Sequence, residues 1–154
     1  MKRTPQANAL TDLILEVFRL NGQLLFAGDR LTEPLGLTSA RWQVLGAIDI
    51  AGCPLSVAQI ARRIGSSRQG VQRIANDLDR LGFISFNINP DHARAKLVVP
   101  TAKGRAALEK IDVIQARWSN GLASGLDTGR LADAADLLGA LVSRCKGDEN
   151  PPTK

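Results

Sequence analysis

The stretch from Pro54 to Ile84, PLSVAQIARRIGSSRQGVQRIANDLDRLGFI, decides the fold of this chain. Ser56 suits an N-cap, because its hydroxyl can accept from an orphan N–H in the first turn of a helix. Val57, Ile60, Ala61 and Ile64 then form the inward face of one short helix, which Gly65 closes. Ser66 or Ser67 caps the next helix, where Val71, Ile74, Ala75, Leu78 and Leu81 recur at helical spacing until Gly82 stops the run. Two amphipathic helices joined by a short turn containing glycine are the signature of a helix-turn-helix.

Past Gly82 the period changes from helical to extended. Phe83 to Ile88 and Lys96 to Val99 read as two strands, joined by the turn-rich segment Asn89-Pro90-Asp91-His92-Ala93-Arg94. This is a β-hairpin with a loop long enough to project from the body. Upstream, Leu10, Leu13, Ile14, Val17, Leu20, Leu24 and Leu25 predict an amphipathic helix from about Ala9 to Leu31, ended by Pro34 and Gly36. Thr38 caps a helix through Trp42, Val44, Leu45, Ala47 and Ile48 that stops at Gly52 and Pro54.

Downstream, Thr101 caps a helix carrying Leu108, Ile111, Ile114 and Trp118, and a loop with Gly121, Gly125 and Gly129 is expected to follow. Leu131, Ala134, Ala135, Leu138, Leu141 and Val142 make a last amphipathic helix before a polar tail from Gly147 to Lys154. The predicted architecture is mainly α with a small β-hairpin wing. A winged helix-turn-helix lobe occupies 38–105, and helices in 9–36 and 106–146 carry apolar faces wide enough to bury against a second copy. All of it reads as a single domain over 1–154, with no internal repeat.

Charge is more informative by position than in total. Between Ser56 and Arg105 nine Lys and Arg face three Asp (Asp77, Asp79 and Asp91), a balance of +6, whereas the remainder balances to −1. A basic excess confined to one third of the chain is the electrostatic footprint of a module that binds a polyanion. No stretch is apolar enough for a signal peptide or a membrane span, so a cytoplasmic protein is expected. Cys53 and Cys145 stand far apart and outside any CxxC pair, which disfavours a disulfide framework or a structural zinc. Buried or idle thiols are expected instead.

Once the apolar positions of the second helix of the motif face the core, Ser66, Ser67, Arg68, Gln69, Gln72, Arg73 and Asn76 remain on its outward turns. These side-chain types hydrogen-bond base edges in a major groove: Arg to guanine, Gln and Asn to adenine, Ser to either. A solvated helix face is also polar, but this one lies between a capped short helix and a hairpin, in the basic third. With that helix in the major groove, the hairpin would bring Arg94, with His92 and Lys96, to the adjacent minor groove. Arg62, Arg63 and Lys103 are candidates for phosphate contacts, which position a domain without reading sequence.

From Leu55 to Leu108 the chain resembles the MarR family of winged-helix regulators. The match is carried by the opening stretch, by NPDHARAKLVVPTAKG at 89–104, and more weakly by LTSARWQVLGAI at 37–48. The resemblance implies a homodimer whose first and last helices interlock and whose two lobes read a palindromic double-stranded DNA operator. It implies a repressor that leaves DNA when a small, often aromatic or phenolic, effector binds. It also implies that Ser66 to Asn76 hold the recognition residues and that Arg94 is the wing arginine.

Phe18, Leu24, Arg41, Trp42 and Trp118 are the candidate effector-pocket residues, Arg41 being suited to a carboxylate. The wing departs from the family pattern at Phe86 and His92, where many relatives carry an arginine and an aspartate, so a changed wing support is expected. Pro100 is expected to shorten the pairing of the second strand, since proline offers no N–H. Oxidant-sensing relatives use a cysteine near the chain start, and this chain has none before Cys53.

An enzyme has little to work with here. There is one histidine, no cysteine beside it, no glycine-rich phosphate loop and no HExxH pair, so no catalytic residues, metal site or cofactor are assigned. The remaining rival is a protein-interaction module that keeps the fold without reading DNA. It would need neither the reader-rich face nor the local charge.

Overall fold

The structure is a computed structural model that describes residues 2–90, 92 and 94–148. Asp91, Ala93 and the tail beyond residue 148 therefore lie outside the described residues. The chain divides into two compact units, Met1–Gln115 and Ala116–Lys154.

The first unit begins with α1 (Pro5–Thr32), which starts earlier than its apolar pattern suggests. Thr4 accepts from the N–H of Ala7 at 3.2 Å and proline occupies the first turn, where its missing N–H costs nothing. A 3-10 turn (Glu33–Leu35) and Gly36, at φ 69°, end it. Then come α2 (Ser39–Ala51), capped by Thr38 as expected, and β1 (Leu55–Ser56). Next are α3 (Val57–Ile64), α4 (Arg68–Arg80), β2 (Ile84–Asn87), β3 (Leu97–Pro100) and the start of α5 (Ala102–Ala123). Ser67, rather than Ser66, caps α4 by accepting from the N–H of Gly70 at 3.0 Å.

Leu45, Ile60, Leu78, Ile84, Val44, Val71 and Val98 have essentially no exposure, so one core joins α2, α3, α4 and the sheet. Leu81 is a correction: expected on the core face, it caps the end of α4 and stays 37% exposed. The sheet has three strands in the order β1-β3-β2, all antiparallel. The third strand, β1, was not expected. Ser56 belongs to it and also caps α3, where a full capping box with Gln59 is present.

Pro100 does not shorten β3. It pairs with Ile84, and because Thr101 donates to the Phe83 carbonyl at 3.0 Å, the ladder bonds to β2 fall on the alternate residues. The missing N–H therefore points away from β2, toward the side where β1 has not yet begun.

The second unit holds the end of α5 and α6 (Thr128–Asp148). The expected three-glycine loop is shorter than predicted. Gly121 lies inside α5 and Gly129 inside α6, leaving a turn with Gly125 at φ 78°, and Asp127 accepts from the N–H of Arg130 at 2.9 Å to start α6. The helix continues through Gly147, past the expected start of the tail. Leu131, Leu138 and Val142 of α6 are exposed. So, within the first unit, are Leu10, Ile14, Phe18, Leu24 and Leu25 of α1. No described helix is long and apolar enough to cross a membrane. Both cysteines are free and exposed, so of the two alternatives expected, buried or idle thiols, burial does not hold.

Candidate nucleic-acid interface

The buried stripe of α4, Val71, Ala75 and Leu78, faces the core with half-buried Ile74 beside it, and the opposite face of the helix is left to solvent. All seven expected reader residues, Ser66, Ser67, Arg68, Gln69, Gln72, Arg73 and Asn76, are exposed. A shallow concavity of about 830 Å³ runs along this face, lined by Ser67, Arg68, Gln69, Gly70, Gln72, Arg73 and Asn76. Within it the Gln72 amide donates to Asn76 Oδ1 at 2.9 Å, so two adenine-reading side chains are held one turn apart. The Ser67 hydroxyl accepts one bond as the cap and keeps its own proton and a second lone pair for a base or phosphate.

A second groove of about 330 Å³ separates α4 from the wing. Arg68, Gln72 and Asn76 line one side, Arg94, Ala95 and Lys96 the other, with Ser56, Val57, Ala58 and Phe86 between them. The three α4 residues thus border both concavities. His92, Arg94 and Lys96 are exposed, and the loop is tied by the His92 N–H to the Asn89 carbonyl at 3.2 Å and the Ala95 N–H to the His92 carbonyl at 3.0 Å. Phe86, at the position where the resemblance expects an arginine, packs its ring against the core. Burial of an apolar ring supports the wing root there, in place of an ion pair.

Arg62 and Arg63 are exposed in the last turn of α3, where cations also favour the helix C-terminus. Lys103 is differently placed: its ammonium donates to the Leu81 carbonyl at 2.7 Å and stands 4.3 Å from the centre of the Phe83 ring. It closes the end of α4 onto the start of α5. Arg105 similarly donates to the Pro100 carbonyl at 2.7 Å.

None of the effector candidates lines either of the two concavities described above. Phe18 is 68% and Leu24 41% exposed on α1, Trp42 packs on the core from α2, and Trp118 belongs to the second unit. Arg41 faces a carboxylate of the protein itself, with Nη2 3.7 Å from Oδ2 of Asp77. Sequence reasoning missed that pair, and it missed the contribution of the α3 start to the groove; β1 is too short to leave a periodic signal. No group of three or more His, Cys, Asp or Glu suited to a metal ion is found among the described residues.

Comparison with known proteins agrees with this geometry. A family model described as MarR family matches residues 35–95. An uncharacterized protein of Mycobacterium tuberculosis is 36% identical over 142 residues, covering 92% of this chain and 98% of the relative. The transcriptional activatory protein BadR of Rhodopseudomonas palustris is 29% identical over 99 residues, 63% of this chain and 57% of that one. Among solved structures, the M. tuberculosis transcriptional regulator MosR in complex with DNA superposes with a TM-score of 0.72 at 28% identity, covering 86% of this chain and 96% of that one. With the winged helix-turn-helix already established, the chain belongs to the MarR family of DNA-binding transcriptional regulators.

Proposed function

We propose that the chain reads a palindromic operator as a homodimer, with α4 in the major groove and the wing at the neighbouring minor groove. In this reading Arg68, Gln69, Gln72, Arg73 and Asn76, with Ser66 and Ser67 at the helix start, contact base edges. Arg94 and Lys96, with His92, engage the wing side, and Arg62 and Arg63 hold phosphates. The carrying observation is that α4 turns its reader-type side chains to solvent on one face, bordered by a groove whose far wall is Arg94 and Lys96.

Residues 38–105 are then the DNA-binding lobe within one MarR-like domain of 1–154. Segments 9–36 and 106–146 supply dimer helices, a role supported by the exposed apolar side chains of α1 and of α6. The protein works in the cytoplasm as a repressor rather than as an enzyme. A small aromatic or phenolic effector releases it, with Phe18, Leu24, Arg41, Trp42 and Trp118 as the residues to vary in mapping that response.

Selection of bound sequences from a pool of random duplexes at physiological salt tests the core of this reading, because non-specific attraction fades there while base readout survives. A palindrome with half-sites roughly 34 Å, about 10 base pairs, apart is expected. No enrichment over the input pool would favour a protein-interaction module instead.

A further inference from the structure

We infer that Arg41 is a positioning residue for DNA recognition, setting the rotation of α4 through Asp77; the inference rests on α4 being the reader. The buried stripe of α4 is Val71, Ala75 and Leu78, with half-buried Ile74 beside it against the core. Such a stripe fixes how closely the helix lies on the core but restrains rotation about the helix axis only by shape. At about 100° per residue, the stripe, the reader face and Asp77 divide the helix circumference into three parts roughly 110–130° apart. Asp77 therefore stands on the flank opposite neither of the other two, where a tether opposes turning in one direction.

Arg41, in the first turn of α2, supplies that tether from another element. Its Nη2 lies 3.7 Å from Oδ2 of Asp77, with the two side chains 27% and 33% exposed. The other carboxylate oxygen, Oδ1, accepts from Arg80 on α4 itself. Among the described residues the remaining ion pairs, Arg19 with Glu16 and Arg80 with Asp77, each lie within one helix. Turning α4 by about 10° moves side-chain tips 5–6 Å from its axis by about 1 Å. That displacement exceeds what a base-edge hydrogen bond tolerates, and it changes the Arg41 to Asp77 separation by a similar amount. The pair thus converts a rotation that would misplace the readers into an electrostatic cost.

An ion pair of this exposure is worth at most about fivefold in an equilibrium, which bounds the effect. The test measures dissociation constants of the full chain on the best selected duplex and on a scrambled duplex, at one salt concentration. Arg41→Gln and Asp77→Asn are each expected to lower the ratio of the two affinities about three- to fivefold. The combined variant is expected to lose no more than either alone, and Arg41→Lys, which keeps the charge, to stay near the parent. A loss of folded protein would weaken both duplexes equally and leave the ratio unchanged. Single variants with the parent ratio, losses that multiply in the combined variant, or an Arg41→Lys as impaired as Arg41→Gln would overturn the inference. A parent that does not distinguish the duplexes would instead sink the reading of α4 on which it stands.

Discussion

Replacing Gly104 by alanine should destabilise this protein, although alanine is the better helix former. Gly104 lies buried in the first turn of α5, and a Cβ built there would sit 2.1 Å from the Phe83 carbonyl oxygen and 3.1 Å from its carbon. Carbon to oxygen contacts become comfortable near 3.3 Å, so helix and strand must separate by about 1.2 Å. The same carbonyl accepts from the Thr101 N–H at 3.0 Å, which fastens the root of the wing to α5. Overpacking against backbone costs about 1–3 kcal/mol, and weakening that hydrogen bond adds about 1 kcal/mol. The propensity gain of alanine returns at most about 1 kcal/mol. The net is about 2 kcal/mol, or roughly 4–8 °C in melting temperature for a chain of this size. Gly46→Ala is the matched control: its Cβ would meet the Trp42 indole nitrogen at 3.9 Å, an ordinary contact inside α2, so a gain of about 0.5–1 kcal/mol is expected. Urea unfolding at one protomer concentration reads both, as midpoint shifts at constant slope. Shifts of the same sign in the two variants would refute the steric reasoning.

Ser56→Ala removes one half of the capping box on α3 and should lower unfolding free energy by about 1 kcal/mol in the same assay, while Gln59→Glu, which can still bond the Ser56 N–H, should cost less. Gln69→Ala or Arg73→Ala should cost roughly 1–3 kcal/mol on the best duplex and relax preference at single positions, seen by repeating the selection with each variant. Binding of the parent should weaken steeply with salt, and Arg94→Ala or Arg62→Ala should each lower the log–log slope by roughly one, with unchanged slopes removing those residues from the interface.

Most of the lobe was legible because its signals are local. Ser56, Thr38 and Thr101 cap helices within three residues of the N–H groups they satisfy, and Gly36, Gly52 and Gly65 end helices at positive φ. The reader face needed only the helical period. What could not be read was whatever depends on segments meeting from a distance. The pairing of β1 with β3 gives no alternation over two residues, and the placement of Pro100 in the ladder depends on which of its neighbours carry the bonds. Gly121 and Gly129 looked like loop residues, since glycine is a weak helix former, but the flanking apolar pattern carries both into helices.

The charge of the lobe illustrates the same division in electrostatic terms. Net charge located the footprint between Ser56 and Arg105, but a sum treats every cation alike. Folding separates them: Lys103 and Arg105 are held by the Leu81 and Pro100 carbonyls, and Arg80 by Asp77. The first two tie the start of α5 to the end of α4 and to β3, and the third stays within α4. Arg62, Arg63, Arg68, Arg73, Arg94 and Lys96 are all exposed, and none makes an ion pair among the described residues. They lie on α3, α4 and the wing, the elements that border the two concavities. A cation already bonded to backbone keeps its charge and its other N–H donors but is less free to reach a phosphate, so this second group should carry the larger part of the salt dependence of binding. The residues that hold the lobe in shape and those that face the polyanion therefore belong to the same basic stretch but separate cleanly by partner, and a substitution at Lys103 should report on stability where one at Arg94 reports on DNA.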